Sequence, residues 1–171
     1  KAKRVYIVMD GAVWLWNLFE DRFETCATGT LDFYHASQHL HALAAELFPG
    51  NKQEAARWCG NILHSLKHHS PRKLFGTLAE LMAHPPRPDE STLTAIQDAH
   101  DYFDRHKTHM DYPAAAKLGL PIGSGSMESQ CSQFQNRFKR RGQFWSVKGS
   151  AALLEVAVRH QNGELASLWA A

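Results

Sequence analysis

The sequence has no apolar run that approaches the roughly 20 residues of a helix across a membrane. Its three cysteines are odd in number and lack a Cys-x-x-Cys pair, which argues against a disulfide framework or zinc ribbon and favours a reducing compartment. No internal repeat of about 20–50 residues is present, which excludes a solenoid or propeller. The first residues form a short apolar run that ends in Asp-Gly, unlike a secretory leader. These absences predict a cytoplasmic protein without a membrane anchor.

A strong excess of charge of one sign is also lacking, since the formal net charge is +2. The distribution along the chain is more informative than the total. Residues 129–171 contain only two acidic residues against six basic ones, namely Arg137, Lys139, Arg140, Arg141, Lys148 and Arg159. A length of 171 residues with 44% hydrophobic content is enough for one domain with a core, or for one domain with an insertion.

Two short segments predict buried strands that each lead to an aspartate. Val5–Met9 is a continuous apolar run typical of a parallel strand, and Asp10 follows it directly. The segment 29–34 predicts a second strand, with Asp32 in it or just after it. Open α/β folds place ligands and metals at the carboxyl ends of their strands. An aspartate followed by glycine is also an ordinary turn signal, so Asp10 by itself does not identify a site.

Two histidines, His35 and His39, follow the second predicted strand and are four residues apart. Helical positions at this spacing face the same way, which zinc sites use. Because no third ligand stands at a defined offset, the sequence favours a structural role for His35, in which it pairs with a strand or with Asp32. A helical metal-binding protein built on His35 and His39 is the more distant alternative.

Apolar periodicity predicts that most of the remaining chain is helical. Pro71 suits the first position of a helix, whereas the three prolines within residues 84–91 cannot continue one, so that segment predicts a linker. Residues 108–122 are predicted to be irregular, and Gly163 follows the end of the last helix. The predicted helices cover residues 12–23, 35–48, 51–70, 71–83, 91–107 and 147–161.

One further stretch, residues 121–142, combines several features of a site. A Gly-Ser-Gly turn leads into a predicted helix, for which Ser126 is the candidate N-cap. Glu128 then falls in the first turn, where the helix dipole favours an ionised carboxylate. A basic run closes the helix before Gly142, and a core-facing stripe is predicted for Met127, Cys131, Phe134 and Phe138. Taken alone, Glu128 is more often a helix-start charge without chemistry, and a basic run is more often a solvated surface.

Five blocks of the sequence, with their order kept, closely resemble DDE transposases of prokaryotic insertion sequences. The nearest group is the ISKra type, with more distant kinship to Mutator-like transposases. The blocks are DGAVWLWN, LDFYHASQHL, MDYP, GLPIGSGSMES and RFKRRGQFW. The resemblance spans essentially the whole chain. It implies an RNase H-like catalytic domain with a helical insertion before the last catalytic helix, and metal-dependent cutting and joining of DNA.

The resemblance also implies roles for single residues. By position, Asp10 looks like the second aspartate and Glu128 like the final glutamate of a carboxylate triad that holds Mg²⁺ or Mn²⁺. Asp32 and His35 look like the Asp-x-x-His signature of Mutator-like relatives. The first aspartate would lie upstream of this chain, which is therefore expected to be the C-terminal portion of a transposase and inactive in DNA cleavage alone. The alternative is a truncated, non-catalytic remnant that acts at most as a DNA-binding or interaction protein.

The fold expected from this resemblance is α+β and predominantly helical, the C-terminal portion of an RNase H-like fold with two short strands and a helical insertion. The expected domains are residues 1–35 for the strands and their connecting helix, 36–120 for the insertion, and 121–171 for the glutamate helix and the basic C-terminal helix. The expected partner is DNA, at transposon ends and target, bound by a homo-oligomer associated with the nucleoid and without a membrane.

The residues expected to contact DNA lie near the C-terminal end. Basic side chains supply phosphate contacts, which fix position without reading sequence. Aromatic side chains such as Phe144 and Trp145 stack on unpaired bases, although core packing is an equally good role for both. The candidates for DNA contact are Arg137, Lys139, Arg140, Arg141, Trp145 and Lys148.

Overall fold

A computed structural model of the protein describes residues 5–169, so the outermost residues of the expected domains lie outside it. The chain forms two compact units, the first ending at Ser124 and the second beginning at Gly125. Within residues 5–169 helices predominate and the one regular sheet has two parallel strands, so the α+β, mostly helical class is confirmed. No helix in this range combines the length and apolar character needed to cross a membrane.

The first unit begins with two strands and the helix between them, β1 (Val5–Met9), α1 (Val13–Arg22) and β2 (Ala27–Leu31). β1 and β2 pair in parallel along their full length, and α1 supplies the crossover that a parallel pair requires. α1 buries Trp16 and Phe19, whereas Trp14 is exposed. Only one of the two neighbouring tryptophans therefore belongs to the core.

Helices complete the first unit, namely α2 (Phe33–Leu47), α3 (Lys52–His68), α4 (Arg72–Ala83), α5 (Glu90–Arg105), a 3₁₀ turn (Lys107–His109) and α6 (Tyr112–Lys117). α2 packs against α3 and α5, and α4 packs against α3 and α5. The buried leucines Leu40, Leu43 and Leu47 of α2 recur at the three- and four-residue spacing of one helix face. Burial of these faces against each other forms the core that supports the sheet.

The boundaries of the strand and the helix on either side of Asp32 differ from the prediction. β2 ends at Leu31 rather than continuing to Tyr34, and α2 begins at Phe33 rather than at His35. Asp32 causes both differences, because its side chain accepts the backbone N–H groups of Tyr34 and His35 and so caps the helix. The aromatic residues that follow Asp32 favour strands, which is why sequence patterning extended the strand across them.

The proline-rich segment is irregular, as predicted, but it is attached to the rest of the unit. Arg87 donates one hydrogen bond to the backbone carbonyl of Glu46 in α2 and a second, at 2.9 Å, to the hydroxyl of Thr92 in α5. Pro71 is the N-cap of α4. The helix therefore begins at Arg72, one residue later than the prediction, which had Pro71 as its first helical residue. Both proline sites thus lie at helix boundaries, because proline cannot donate a backbone hydrogen bond within a helix.

The second unit consists of α7 (Gly125–Phe138), α8 (Val147–Gln161) and a 3₁₀ helix (Leu165–Leu168). The prediction of Ser126 as N-cap is wrong, because Gly125 is already helical and Ser126 lies inside the first turn. The helix also ends earlier than predicted, so Arg140 and Arg141 follow it in a turn. Gly142 stands in that turn with φ of +81°, a left-handed conformation that glycine adopts readily.

The apolar stripe of α7 is not a buried face in the described residues. Met127 is 62% exposed and Cys131 is exposed, so the prediction of a core-facing stripe is wrong for the first half of the helix. Phe134 and Phe138 are half-buried, and their rings stack with centroids 6.3 Å apart. Packing within this unit thus involves the C-terminal half of α7.

We expect Gly11→Ala to destabilise the first unit. A Cβ at Gly11 would lie 2.3 Å from Cε2 of Tyr102, whose ring stacks on that of His39 with centroids 3.6 Å apart. Displacing a packed ring is expected to lower the free energy of unfolding by about 1–3 kcal/mol in chemical denaturation. Gly60→Ala is the matched control, since no atom lies within 4 Å of its new Cβ and alanine favours α3 by about 0.5–1 kcal/mol. Equal losses in both variants would contradict this explanation.

Candidate functional site

The two predicted aspartates follow neighbouring strands at the same edge of the sheet. Met9 pairs with Leu31 in the parallel register, and each is directly followed by its aspartate. The backbone N–H of Asp32 donates to the carbonyl of Met9 at 2.7 Å, which ties the two strand ends together. Because paired strands lie about 4.8 Å apart, Asp10 and Asp32 are close neighbours. The prediction that both acids stand at strand ends is confirmed.

Asp10 is held on one side and available on the other. Its Oδ1 accepts the backbone N–H of Ala12 at 2.9 Å, and its backbone carbonyl accepts the indole N–H of Trp16 at 2.7 Å. Among residues 5–169, no donor bonds to its Oδ2. A partly buried carboxylate with one uncommitted oxygen suits a hard cation such as Mg²⁺, which takes oxygen ligands from one or two carboxylates and keeps several waters.

Asp32 is fully buried, and the protein itself uses its acceptor capacity. Oδ1 accepts the backbone N–H of Tyr34 at 2.7 Å, and Oδ2 accepts both the backbone N–H, at 2.8 Å, and the hydroxyl of Ser124. Burial raises the pKa of Asp32, but the bonds from Ser124, Tyr34 and His35 lower it by more, so the pKa is below its ordinary value. A carboxylate occupied in this way is a structural anchor that has little capacity left for a metal.

The two histidines of α2 have separate environments. Nδ1 of His35 lies 3.5 Å from Oδ2 of Asp32, so the predicted local pairing of these two residues is found. The distance is an ion-pair contact when the imidazole is protonated, and it lacks the geometry of a good hydrogen bond. The ring of His39 stacks on Tyr102, and burial, followed by the charge of His35, lowers the pKa of His39. His39 is therefore a packing partner of α5.

Two side chains, from α5 and from the residue that follows it, lie at Gly11 next to Asp10, and the sequence did not predict them. The ring of Tyr102 lies against Gly11, and burial, followed by the charges of Asp10 and Asp32, raises the pKa of its phenol. His106 is buried one helical turn later, and burial lowers its pKa to about 4, so it is neutral at pH 7. Their spacing of four residues is the only sequence signal, and it is typical of any packed helix face.

Glu128 is exposed and lies in the first turn of α7, as predicted. It belongs to the second unit, whereas Asp10 belongs to the first. The approach of the two carboxylates to a shared cation therefore stays a prediction.

The predicted basic residues are all exposed in the second unit. Arg137 is in the last turn of α7, and Lys148 is in the first turn of α8. In the part of the chain that the structure describes, none of the five has an acidic partner within 4.0 Å, in contrast to Arg159, which pairs with Glu155 at 2.9 Å. Their charges are thus available to an external anion. The five residues are Arg137, Lys139, Arg140, Arg141 and Lys148.

A polar groove of about 450 Å³ brings two of these charges together. Arg137 and Arg140 line it, together with the amide side chains of Gln133, Asn136 and Gln143. Nε of Arg140 donates to the carbonyl of Asn136 at 2.8 Å, which orients its guanidinium near the end of α7. Guanidinium and amide donors in one groove are the groups that contact phosphate and sugar oxygens.

The two aromatic residues after Gly142 differ in their surroundings. The indole N–H of Trp145 donates to the carbonyl of Phe138 at 3.1 Å, and the two rings lie edge to face at 6.1 Å. Trp145 thereby links the end of α7 to the segment before α8. Phe144 is 95% exposed, so its ring is the more accessible of the two.

The chain matches no protein-family model, no curated protein and no solved structure at a significant level.

We expect Asp32→Asn to lower the free energy of unfolding by about 2–3 kcal/mol at pH 7. The substituted amide would point an N–H group at two donors of Ser124, and an unpaired buried group costs about 1–3 kcal/mol. Asp111→Asn is the matched control, because Asp111 caps α6 through Ala114 and asparagine caps a helix as well as aspartate does.

The same comparison tests the lowered pKa of Asp32. A carboxyl whose pKa is lower in the folded state stabilises the protein above its unfolded pKa, about 3.8, and loses that contribution as the pH falls through the folded value. The deficit of Asp32→Asn relative to wild type should therefore be largest at neutral pH and shrink below about pH 4. Denaturation curves at a series of pH values measure it, and a deficit independent of pH would contradict the assignment.

Proposed function

We propose that this chain is the catalytic-site part of a DDE-type DNA transposase with an RNase H-like core around β1 and β2. The observation that carries the proposal is the edge where β1 and β2 end. There Asp10 presents an uncommitted carboxylate oxygen, and Asp32 holds the Gly123–Ser124 turn that precedes the helix of Glu128. The resemblance of five sequence blocks to such transposases agrees with this arrangement.

The chemistry proposed is in-line displacement at the phosphorus of a DNA strand. A bound Mg²⁺ or Mn²⁺ would supply Lewis acidity to the attacking and leaving oxygens. Asp10 would hold this cation through Oδ2, because Oδ1 is fixed by the N–H of Ala12. Glu128 would provide a further carboxylate, and the dipole of α7 favours its ionised form. Asp32 would position the turn before α7.

The anchoring of Ser124 supports the participation of Glu128. Ser124 bonds to Asp32 through both its N–H and its hydroxyl, and α7 starts at the next residue. A helix rises about 1.5 Å per residue, so Glu128 is about 6 Å along the axis from the anchored residue. Only four positions in the chain therefore separate Glu128 from the anchored Ser124.

DNA is the proposed partner, at transposon ends and target sites, and is held by a homo-oligomer in the region of the nucleoid. The basic residues near the end of α7 would contact its phosphates, which fixes position with little sequence preference. Their exposure and their lack of acidic partners within residues 5–169 support this role. Phe144, which is nearly fully exposed, would be available to stack on an unpaired base.

We expect the paired variant Arg140→Ala/Arg141→Ala to weaken binding to duplex DNA about equally across sequences. If both residues contact phosphates, the slope of log affinity against log salt concentration should flatten by roughly 0.9 per lost contact. Fluorescence anisotropy with two unrelated duplexes over a salt series measures both quantities. Lys52→Ala/Lys73→Ala is the charge-matched control, because it removes two exposed positive charges from the first unit. An unchanged affinity and slope in the folded arginine variant would leave the basic run as a solvated surface.

We expect Asp10→Asn and Glu128→Gln each to weaken Mn²⁺ binding by at least about tenfold. Each removes one charged oxygen ligand, and both replacements keep the side-chain size. The electron paramagnetic resonance signal of free Mn²⁺, titrated against the folded 171-residue chain, measures the affinity. Asp111→Asn is the control for an exposed acid elsewhere in the first unit. Equal affinity in all four proteins would favour the non-catalytic alternative, a remnant that binds DNA without holding a metal.

A further inference from the structure

The hydroxyl of Tyr102 is an unexplained polar group beside the candidate metal centre. Its oxygen is buried, and no hydrogen-bond partner lies within reach among residues 5–169. A phenol hydroxyl that is buried on folding normally forms a hydrogen bond, because an unpaired buried polar group destabilises the folded state by about 1–3 kcal/mol. Such a group calls for an explanation, and an ordered water or an ion that belongs to the site is one of the few available.

The position of this hydroxyl points to Asp10. A Cβ built on Gly11 would lie 2.6 Å from the phenol oxygen of Tyr102, so this oxygen lies against the residue that follows Asp10 in the chain. The absence of a side chain at Gly11 is what permits the approach. The phenol oxygen thus lies beside the residue that follows Asp10, whose Oδ2 is uncommitted among residues 5–169.

The ring of Tyr102 is held in place by its neighbours. It stacks on the imidazole of His39 with centroids 3.6 Å apart, and it meets the rings of Phe103 and His106 edge to face at 5.1 and 5.2 Å. His106 is itself buried. A ring that contacts three others has little freedom to move, so its phenol oxygen cannot shift towards a different partner.

The electrostatic surroundings keep this phenol protonated. Burial, followed by the negative charges of Asp10 and Asp32, raises its pKa above the ordinary value. A neutral phenol both donates and accepts hydrogen bonds. Its oxygen can therefore accept a hydrogen bond from a water molecule that a cation polarises.

We propose that Tyr102 is a positioning residue of the cation centre at Asp10, and that its phenol oxygen accepts a hydrogen bond from a water bound to that cation. The inference rests on the proposed function, since it requires a cation at Oδ2 of Asp10. Mg²⁺ keeps several of its waters in protein sites, and those waters need acceptors. Partners of this outer kind commonly change metal affinity by about 10–100-fold.

The first unit provides a matched control in Tyr6. Its hydroxyl is likewise buried and without a partner among the described residues. It is four positions before Asp10 in β1, so its backbone is about 13 Å along the strand from that of Asp10. Tyr6→Phe and Tyr102→Phe thus remove the same atom from the same kind of environment, and only one of them is beside Asp10.

The test is the Mn²⁺ affinity of the full 171-residue chain, measured by electron paramagnetic resonance for the wild type, Tyr102→Phe, Tyr6→Phe and Asp10→Asn. We expect Tyr102→Phe to bind Mn²⁺ about tenfold more weakly than wild type, with a thermal stability at least equal to that of wild type because the stacked ring remains. Tyr6→Phe should bind as wild type does. Wild-type affinity in Tyr102→Phe, or an equal loss in Tyr6→Phe, overturns the inference and leaves the proposed function intact. If Asp10→Asn binds Mn²⁺ as the wild type does, the proposed metal centre is overturned as well.

A second measurement does not depend on the variant folding. Incorporation of 3-fluorotyrosine into the wild-type chain gives each of its four tyrosines a fluorine signal. Addition of Mn²⁺ should broaden the Tyr102 signal much more than that of Tyr6, because paramagnetic broadening falls steeply with distance. Equal broadening of the two signals overturns the inference.

Discussion

The buried carboxylate of Asp32 is the interaction on which the rest of the first unit depends. It joins the end of β2 and the start of α2 to the turn at Ser124, which is 92 residues later in the chain. The backbone reinforces the junction, since the N–H of Phe33 donates to the carbonyl of Ile122 at 2.9 Å. Loss of the negative charge would leave several buried donors unpaired at once, and each such group is costly away from water. The geometry of the strand edge follows from this one satisfied charge.

The two strand-end aspartates have similar places and different capacities. Asp32 has donors on both oxygens, whereas Asp10 has one on Oδ1 alone among the described residues. A metal competes poorly for a carboxylate that already accepts from backbone groups, because their desolvation would be uncompensated. Hydrogen bonding thus distinguishes the two acids: Asp32 has a structural role, and Asp10 keeps an oxygen that can bind a ligand. The ring of Tyr102 lies against Gly11, the residue after Asp10.

The second unit shows how helix boundaries change an interpretation that rests on periodicity. Arg137 is within α7, but Arg140 and Arg141 follow its end, so the basic run is not one face of a helix. The turn around Gly142 and the bond from Trp145 to the carbonyl of Phe138 redirect the chain there. Arg137 and Arg140 nevertheless line one groove, because the backbone of Asn136 holds the guanidinium of Arg140. Arg137 and Arg140 are thus close together although the helix ends between them.

The sequence by itself determined β1, most helices, the strand-end positions of Asp10 and Asp32, and the basic character of the C-terminal segment. These features depend on residues within a few positions of one another, so apolar periodicity, prolines and glycines are enough to predict them. Only the tertiary structure decided that Asp32 bonds to Ser124, 92 residues later, and that the ring of Tyr102 fills the space beside Gly11. Such contacts depend on how helices pack against the sheet, and local patterning carries no information about which distant donor will reach a given carboxylate.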